Sequence, residues 1–386
     1  MKLLVAWLFA LVAVGYPLAA MLGVYLDVDS LMASIPFRVL VIVLSVVVIL
    51  LSLLGRQFQR PSRLLLAFFI AYLLRLLYDW GVQGMQDAAV AMLWFLGSVA
   101  LPSLAVTTAR GEWSESRASA LVFQLGLVAC VLVLFAPLLG VGTARSTTDL
   151  GNRLSYEALN PISVGHAGAL TLLAALARWK HVEWFGERLL LVLGIAVAAS
   201  VLVLAGSRGP VVAAAAALLF LAMGRPLFLL VLLPLLAIVP FVLEGAEGLT
   251  IASRLTTLED ESGLERLAIQ INALNQFLEH PWLGSAYAEL ETGLYPHNFF
   301  LESAMALGVF GLAMYGILNF RALLAAWREL RLGQWLLPLL FVETFVGVQL
   351  SGAIWGADAY WTTLSLLLMV AVGGGKATAS RFAGQS

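Results

Sequence analysis

Apolar windows close to 20 residues long follow one another along almost the whole chain, and this limits the fold more than any other feature. A bilayer core about 30 Å thick takes about 20 residues of helix. Of the 386 residues, 61% are hydrophobic and 12% charged, against about 45–50% and about 25% in a soluble domain. The chain therefore reads as one membrane domain, 1–386, all-α and polytopic. Twelve spans are expected, near 3–22, 36–54, 64–80, 88–108, 118–137, 161–177, 189–206, 209–223, 226–243, 297–319, 334–351 and 358–373. Lys2 and Pro17-Leu18-Ala19-Ala20 give the first span some look of a secretory signal, but its apolar stretch is longer than a signal core of about 7–15 residues. A retained helix is expected. The single cysteine, Cys130, excludes an internal disulfide and a Cys-based metal site.

Basic residues sort by side. Fifteen, including both lysines outside the tail, fall on one side in short loops and at the termini, against seven on the other, Arg38, Arg75, Arg145, Arg153, Arg208, Arg254 and Arg266. The positive-inside rule then places both termini in the cytoplasm. The seven outer cations are all arginine, whose planar fork grips phosphate at two points. Asp149, Glu157 and Glu265 offer a plainer purpose, pairing, for Arg145, Arg153 and Arg254.

The outer face carries the polar motifs. Asn160-Pro161 has the form of a helix start, with His166 about a turn inside, where packing is the commoner role for a membrane histidine. Ser207-Arg208-Gly209-Pro210 ends one span and begins a short one with almost no loop, placing a guanidinium at a helix N-terminus. A tight turn with a snorkelling arginine would look the same.

One larger outer loop, 244–296, separates spans nine and ten. Within it an amphipathic helix over about 263–280 is expected, opened by Ser262-Gly263-Leu264-Glu265 and striped by Leu264, Leu267, Ile271, Leu274 and Leu278. It should lie on the membrane or against the bundle. Arg266 shares its face with Gln270, Ala273 and Phe277. His297 then opens the tenth span with Asn298 beside it and Glu302 deeper, a candidate to orient the ring or a sugar. A histidine can take a proton from a hydroxyl, and nearby arginines would lower its pKa; a helix cap is the plainer reading. Two fixed cations and one base suit a phosphorylated lipid. No Walker A, Rossmann glycine fingerprint, HExxH or outer acid cluster is present, so no nucleotide, cofactor or metal is expected.

Ser207-Arg208-Gly209, Arg266, Pro281-Trp282-Leu283-Gly284, His297-Asn298-Phe299-Phe300-Leu301-Glu302 and Leu307-Gly308-Val309-Phe310-Gly311 together resemble the bacterial O-antigen ligase and O-antigen polymerase family, most strongly over 200–320. The resemblance implies a GT-C-like, metal-independent, inverting glycosyltransferase of the bacterial inner membrane. Its donor would be a glycan on undecaprenyl pyrophosphate at the periplasmic face, and its acceptor lipid A core or another glycan. Arg208 and Arg266 would hold the pyrophosphate and His297 would deprotonate the acceptor. Asn298, Glu302, Arg153, Asn160, His166 and Asp358, the last matching an acid near the final outer loop, form a second rank of candidates. The compact loop favours ligase over polymerase. A lipid-linked solute transporter or flippase is the rival from another class, and internal repeats, its usual mark, are not evident. A membrane scaffold would leave Arg208, Arg266 and His297 unexplained.

Overall fold

A computed structural model describes residues 1–55, 58–109, 113–141, 154, 156, 159–225 and 261–369. Among them lie α1 (Lys2–Tyr25), α2 (Ser30–Leu54), α3 (Arg63–Gly81), α4 (Gln86–Thr108), α5 (Glu115–Leu138), α6 (Pro161–Trp179), α7 (Phe185–Leu204), α8 (Arg208–Gly224), α9 (Glu261–Glu279), α10 (Phe299–Arg331), α11 (Leu336–Leu350) and α12 over 358–369. Eight of these are long and apolar enough to cross a membrane, and α8 and α11 are shorter apolar helices. The chain is an all-helical, polytopic membrane protein. The expected ninth span, 226–243, and the loop before Glu261 lie outside the described residues.

Small residues bring the backbones together. A Cβ on Gly168 of α6 would stand 2.7 Å from the Ala198 carbonyl oxygen of α7, and one on Gly165 would stand 2.7 Å from the Pro210 ring of α8. Such close approach is how helices associate where lipid removes the hydrophobic incentive. At one end of the bundle Glu115 gathers the start of α5, the end of α6 and the start of α11. Its Oε1 lies 2.5 Å from Lys180 Nζ and accepts from Trp335 N at 2.9 Å. Arg178 meets Glu187 at 2.8 Å beside it. These groups share one side in the charge-sorted topology. Nearer the other end, Phe68 and Tyr72 of α3, Phe299 and Tyr315 of α10, and Tyr360 and Trp361 of α12 pack as one wholly buried cluster. Phe68 and Trp361 stand 5.3 Å apart, Tyr360 and Trp361 5.0 Å, a spacing at which aromatic pairs add to burial.

Two helices loosen into π geometry, α1 over Leu11–Gly15 and α4 over Phe95–Ala100. Each segment is followed two residues later by proline, Pro17 and Pro102. A helical proline lacks an N–H and pushes against the carbonyl four residues back, here that of Ala13 and that of Ser98. Wider i→i+5 pairing relieves both problems.

α10 is longer than the expected 297–319, because its amphipathic C-terminal half buries Ala322, Ala325, Ala326 and Leu330 while Arg321 leaves the apolar window. It is also broken at Gly308 (φ 67°, ψ −159°). The break opens the helix's own ladder, and the 281–285 segment closes it again. Ser285 N donates to Met305 O at 3.0 Å, and Val309 N donates to Pro281 O at 2.8 Å. Contact is backbone on backbone. A Cβ on Gly308 would fall 2.2 Å from Trp282 O, and one on Gly284 (φ 69°) 2.4 Å from Met305 O. Glycine is therefore required at both positions by conformation and by space.

Gly284→Ala and Gly308→Ala should each destabilise the purified protein by at least about 2 kcal/mol, through strain plus overlap. Gly316→Ala, with nothing within 4 Å, should leave the thermal midpoint in detergent unchanged.

Candidate functional site

The interlocked segment is also pinned from α3. Arg75 donates to Ser285 O at 2.8 Å, Leu283 O at 3.0 Å and Gly284 O at 3.3 Å. Buried Asp79 accepts from Tyr287 N at 2.7 Å. The outer arginine Arg75 thus serves the backbone, where a single guanidinium can satisfy several carbonyls. Further along, Gln276 of α9 accepts from Leu290 N at 3.1 Å, and buried Glu289 accepts from Glu291 N and Thr292 N at 2.7 and 2.9 Å. The loop arrives at Tyr295-Pro296-His297 with its path set by polar contacts at each stage.

His297 does not open α10. It lies just before the helix with φ 56°, in the left-handed region, and Asn298 is the cap, its Oδ1 accepting from Leu301 N at 3.0 Å. The cap fixes where the helix begins and leaves the His297 ring outside it. The ring sits 4.4 Å from that of Tyr295. Its buried Nδ1 has no hydrogen-bond partner among the described residues. Burial first, and the charge of Arg266 second, push His297 down to about 4, so the imidazole is neutral at neutral pH.

α9 begins at Glu261, one residue before the expected cap. Its leucine stripe does not pack on the bundle: Leu264, Leu267, Ile271, Leu274 and Leu278 are all exposed. The face that packs carries buried Ile269, Ala273 and Gln276. Arg266 and Gln270 lie along it, and they reach Leu350 O at 3.3 Å and Pro296 O at 3.2 Å respectively.

Three elements converge on the last turn of α11. Arg266 donates to Leu350 O, Asn298 Nδ2 donates to Gln349 O at 3.5 Å, and a Cβ on Gly209 would stand 3.7 Å from that of Leu350. The N-terminus of α8, which carries Arg208, the Arg266 face of α9 and the His297-Asn298 turn therefore meet at one end of the bundle. α8 runs 17 residues, about 25 Å at 1.5 Å per residue, less than a hydrocarbon core. No side-chain hydrogen bond caps it at Ser207.

The remaining candidates divide. Glu302 is wholly buried and its oxygens are committed: Oε1 accepts from the Tyr72 hydroxyl at 3.0 Å, and both oxygens accept from Ile354 N at 3.0 Å. It braces α10 against α3 and the turn before α12. Asn160 caps α6, accepting from Ser163 N at 2.8 Å. His166 stands 2.5 Å from Glu343 of α11. Asp358, the first residue of α12, accepts from its neighbour Ala359 N at 2.8 Å. Asn160, His166 and Asp358 all line one cavity of about 400 Å³, together with Arg38, Trp94 and Tyr295. The π segments of α1 and α4 border it through Val12, Ala13 and Ser98. Arg153 lies outside the described residues.

Arg38 read in the sequence only as one of seven outer cations, and Glu343 was not singled out. Arg38 stacks over Trp94, donates to Ser98 Oγ at 3.4 Å and feels the charge of Asp358. The proline after each π segment was the signal for the cavity. Glu343 had none, being a lone acid in an apolar window.

Residues 191–316 match the family model described as O-antigen ligase. Over that span the chain is similar to the O-antigen ligase family. The matched span runs from α7 into α10 and contains Arg208, Arg266, the Gly284–Gly308 interlock and His297. No curated protein matches the chain. The chain is a multi-pass membrane protein, and its match to that family covers 191–316.

Glu302→Ala strands the Ile354 N–H and the Tyr72 hydroxyl, each at about 1–3 kcal/mol. Asn298→Ala loses one cap, about 1 kcal/mol. Thermal denaturation should rank Glu302→Ala well below Asn298→Ala.

Proposed function

We propose that this protein transfers a glycan from a lipid diphosphate to an acceptor hydroxyl, with Arg208, Arg266 and His297 as the reacting constellation. One observation carries the reading: three elements distant in sequence, each bearing one of those residues, meet at Gln349–Leu350. Further support comes from chemistry. A diphosphate leaving group needs cations where its charge develops, and arginine binds it through two N–H groups. The capped start of α10, a half-helix ending at Gly308, adds a positive dipole end to the same region.

In the step, the acceptor oxygen bonds to the anomeric carbon as the bond from that carbon to the diphosphate oxygen breaks. The bonding pair leaves with the diphosphate, held by Arg208 and Arg266. The hydroxyl proton passes to His297, and displacement from the opposite face inverts the centre. The low pKa of His297 follows from burial and an adjacent cation. An arriving diphosphate offsets that cation and raises the basicity of the ring, so the base strengthens as the donor binds.

The family match and the resemblance favour undecaprenyl pyrophosphate as carrier and lipid A core as acceptor, an O-antigen ligase of the bacterial inner membrane acting at the periplasmic face with both termini cytoplasmic. Polymerisation of the same repeat units is the alternative within the family. A knockout separates them on a polysaccharide gel: loss of all capped lipopolysaccharide marks the ligase, and collapse of the ladder to one repeat marks the polymerase.

His297→Ala should lower transfer by at least about 100-fold, the scale of general-base catalysis, while the lipid-linked donor still binds. Normal turnover in that variant would remove the base. Arg208→Lys should also fail, because a point charge does not replace a fork, and full activity there would remove the two-point grip.

The pH profile carries a sign. Neutral imidazole is the active form and exists above its pKa, so activity falls as pH drops through that value. With the ring held down to about 4, kcat/KM should persist at pH 5.5, where a free histidine at about 6.5 is mostly protonated. The acid limb of kcat should lie higher than that of kcat/KM, because bound diphosphate offsets Arg266.

A further inference from the structure

The cavity of about 400 Å³ between α1, α2, α6, α11 and the turn before α12 takes no part in the step just described. Its size falls within the range of small-ligand pockets, about 300–1,000 Å³, and it has room for a hexose ring. Its wall is built. Glu343 is wholly buried in α11, spends Oε1 on His166 Nδ1 at 2.5 Å, and its Oε2 has no partner among the described residues. A carboxylate on Nδ1 keeps the proton there and leaves Nε2 an acceptor. The ring has its place because position 347 is glycine: a Cβ there would stand 2.7 Å from His166 Cε1.

Within the wall the neutral His166 ring holds the Glu343 carboxylate, and Arg38 stands in the field of Asp358. An anion would find no surplus cation here. The aromatic surface is large. Trp94 stands 6.4 Å from Trp355, Trp355 6.2 Å from Tyr295, and Tyr295 4.4 Å from His297. Rings thus run without a gap from the cavity to the candidate base. Balanced polar groups beside flat apolar faces suit a ring that has hydroxyls at its rim and C–H groups on its faces.

We propose that this cavity binds an uncharged sugar ring, with Nε2 of His166, held by Glu343, accepting a sugar hydroxyl and Trp94 and Trp355 covering an apolar face. This rests on the glycosyl-transfer reading for its ligand class, and the ring can belong to donor or acceptor. His166 and Trp355 are binding residues for the sugar, and Glu343 is a positioning residue acting through His166.

Equilibrium binding to the full chain in lipid nanodiscs tests it with three probes: bare undecaprenyl diphosphate, the same lipid diphosphate carrying one neutral hexose, and a soluble neutral disaccharide. Wild type should bind the hexose-bearing lipid more tightly than the bare lipid, or bind the disaccharide. His166→Ala and Trp355→Ala should each weaken that sugar-dependent binding about tenfold and leave the bare lipid within twofold. An effect on the hexose-bearing lipid assigns the ring to the donor, and one on the disaccharide assigns it to the acceptor. Glu343→Gln, which keeps the shape, should weaken the same probe in the same direction and stands in if His166→Ala does not fold. The site is overturned if wild type shows no sugar-dependent binding, if the variants leave it within twofold, or if the bare lipid weakens equally. Binding is read apart from turnover and transfer in a separate assay, so sugar binding without transfer upholds the site and sinks the transferase reading. Transfer with no sugar-dependent binding does the reverse.

Discussion

Everything at the candidate site depends on two glycines that let one backbone lie against another. α10 stops being a helix at Gly308, and in an apolar setting a broken ladder is costly unless its groups find partners. The partners come from Pro281 and Ser285, which can reach them only because Gly284 and Gly308 present no side chain. The interlock makes a short half-helix of Phe299–Leu307 and fixes the loop that feeds it. Arg75 and Asp79 hold that loop from α3, Glu302 holds the half-helix from below, and Asn298 sets its first residue. His297 can sit at φ 56° because its neighbours on both sides are held. Strain of this kind persists where surrounding contacts over-determine it.

The aromatic cluster explains why these constraints reach so far. Phe299, Tyr315, Tyr360 and Trp361 pack as one body with Phe68 and Tyr72. α3, α10 and α12 cannot shift separately without opening it. The cavity wall on α11 and the candidate groups near its C-terminus are therefore referred to one frame. That is how groups on separate helices keep a geometry that a single loop could not hold.

Much of this was legible in the sequence, and what was missed has physical causes. The spans follow from apolar length. Short polar motifs marked Arg208, Arg266 and His297 because polar groups are rare here. Their partners were harder to see. Arg75 read as one more outer cation, whereas it serves three carbonyls 208 to 210 residues away. Glu302 read as a group that might face a substrate, and it is spent on Tyr72 and Ile354. The α9 stripe was expected on the bundle or the membrane, and the bundle proved to take the opposite face, because Ile269, Ala273 and Gln276 fit there. Periodicity identifies an apolar face without saying what covers it. Long-range pairing decided each of these cases, and a sequence shows pairing only through motifs already known.

If His297 is the base we propose, its place beside a guanidinium carries an electrostatic conflict that donor binding would turn to use. Two effects oppose a proton on His297, a half-buried site and Arg266. Both would make a poor base if they were permanent. Burial is permanent, but the cation's effect lasts only until an anion shares the site. A diphosphate that draws the field of Arg266 onto itself leaves the imidazole freer to accept charge, and the proton taken from a hydroxyl then sits near the negative leaving group. In the proposed step, the same cation that would silence the base in the empty site would stabilise the departing charge in the occupied one. On that proposal the base would be strong only when there is something to transfer, which would protect a reactive group held at a membrane surface among water and lipid hydroxyls.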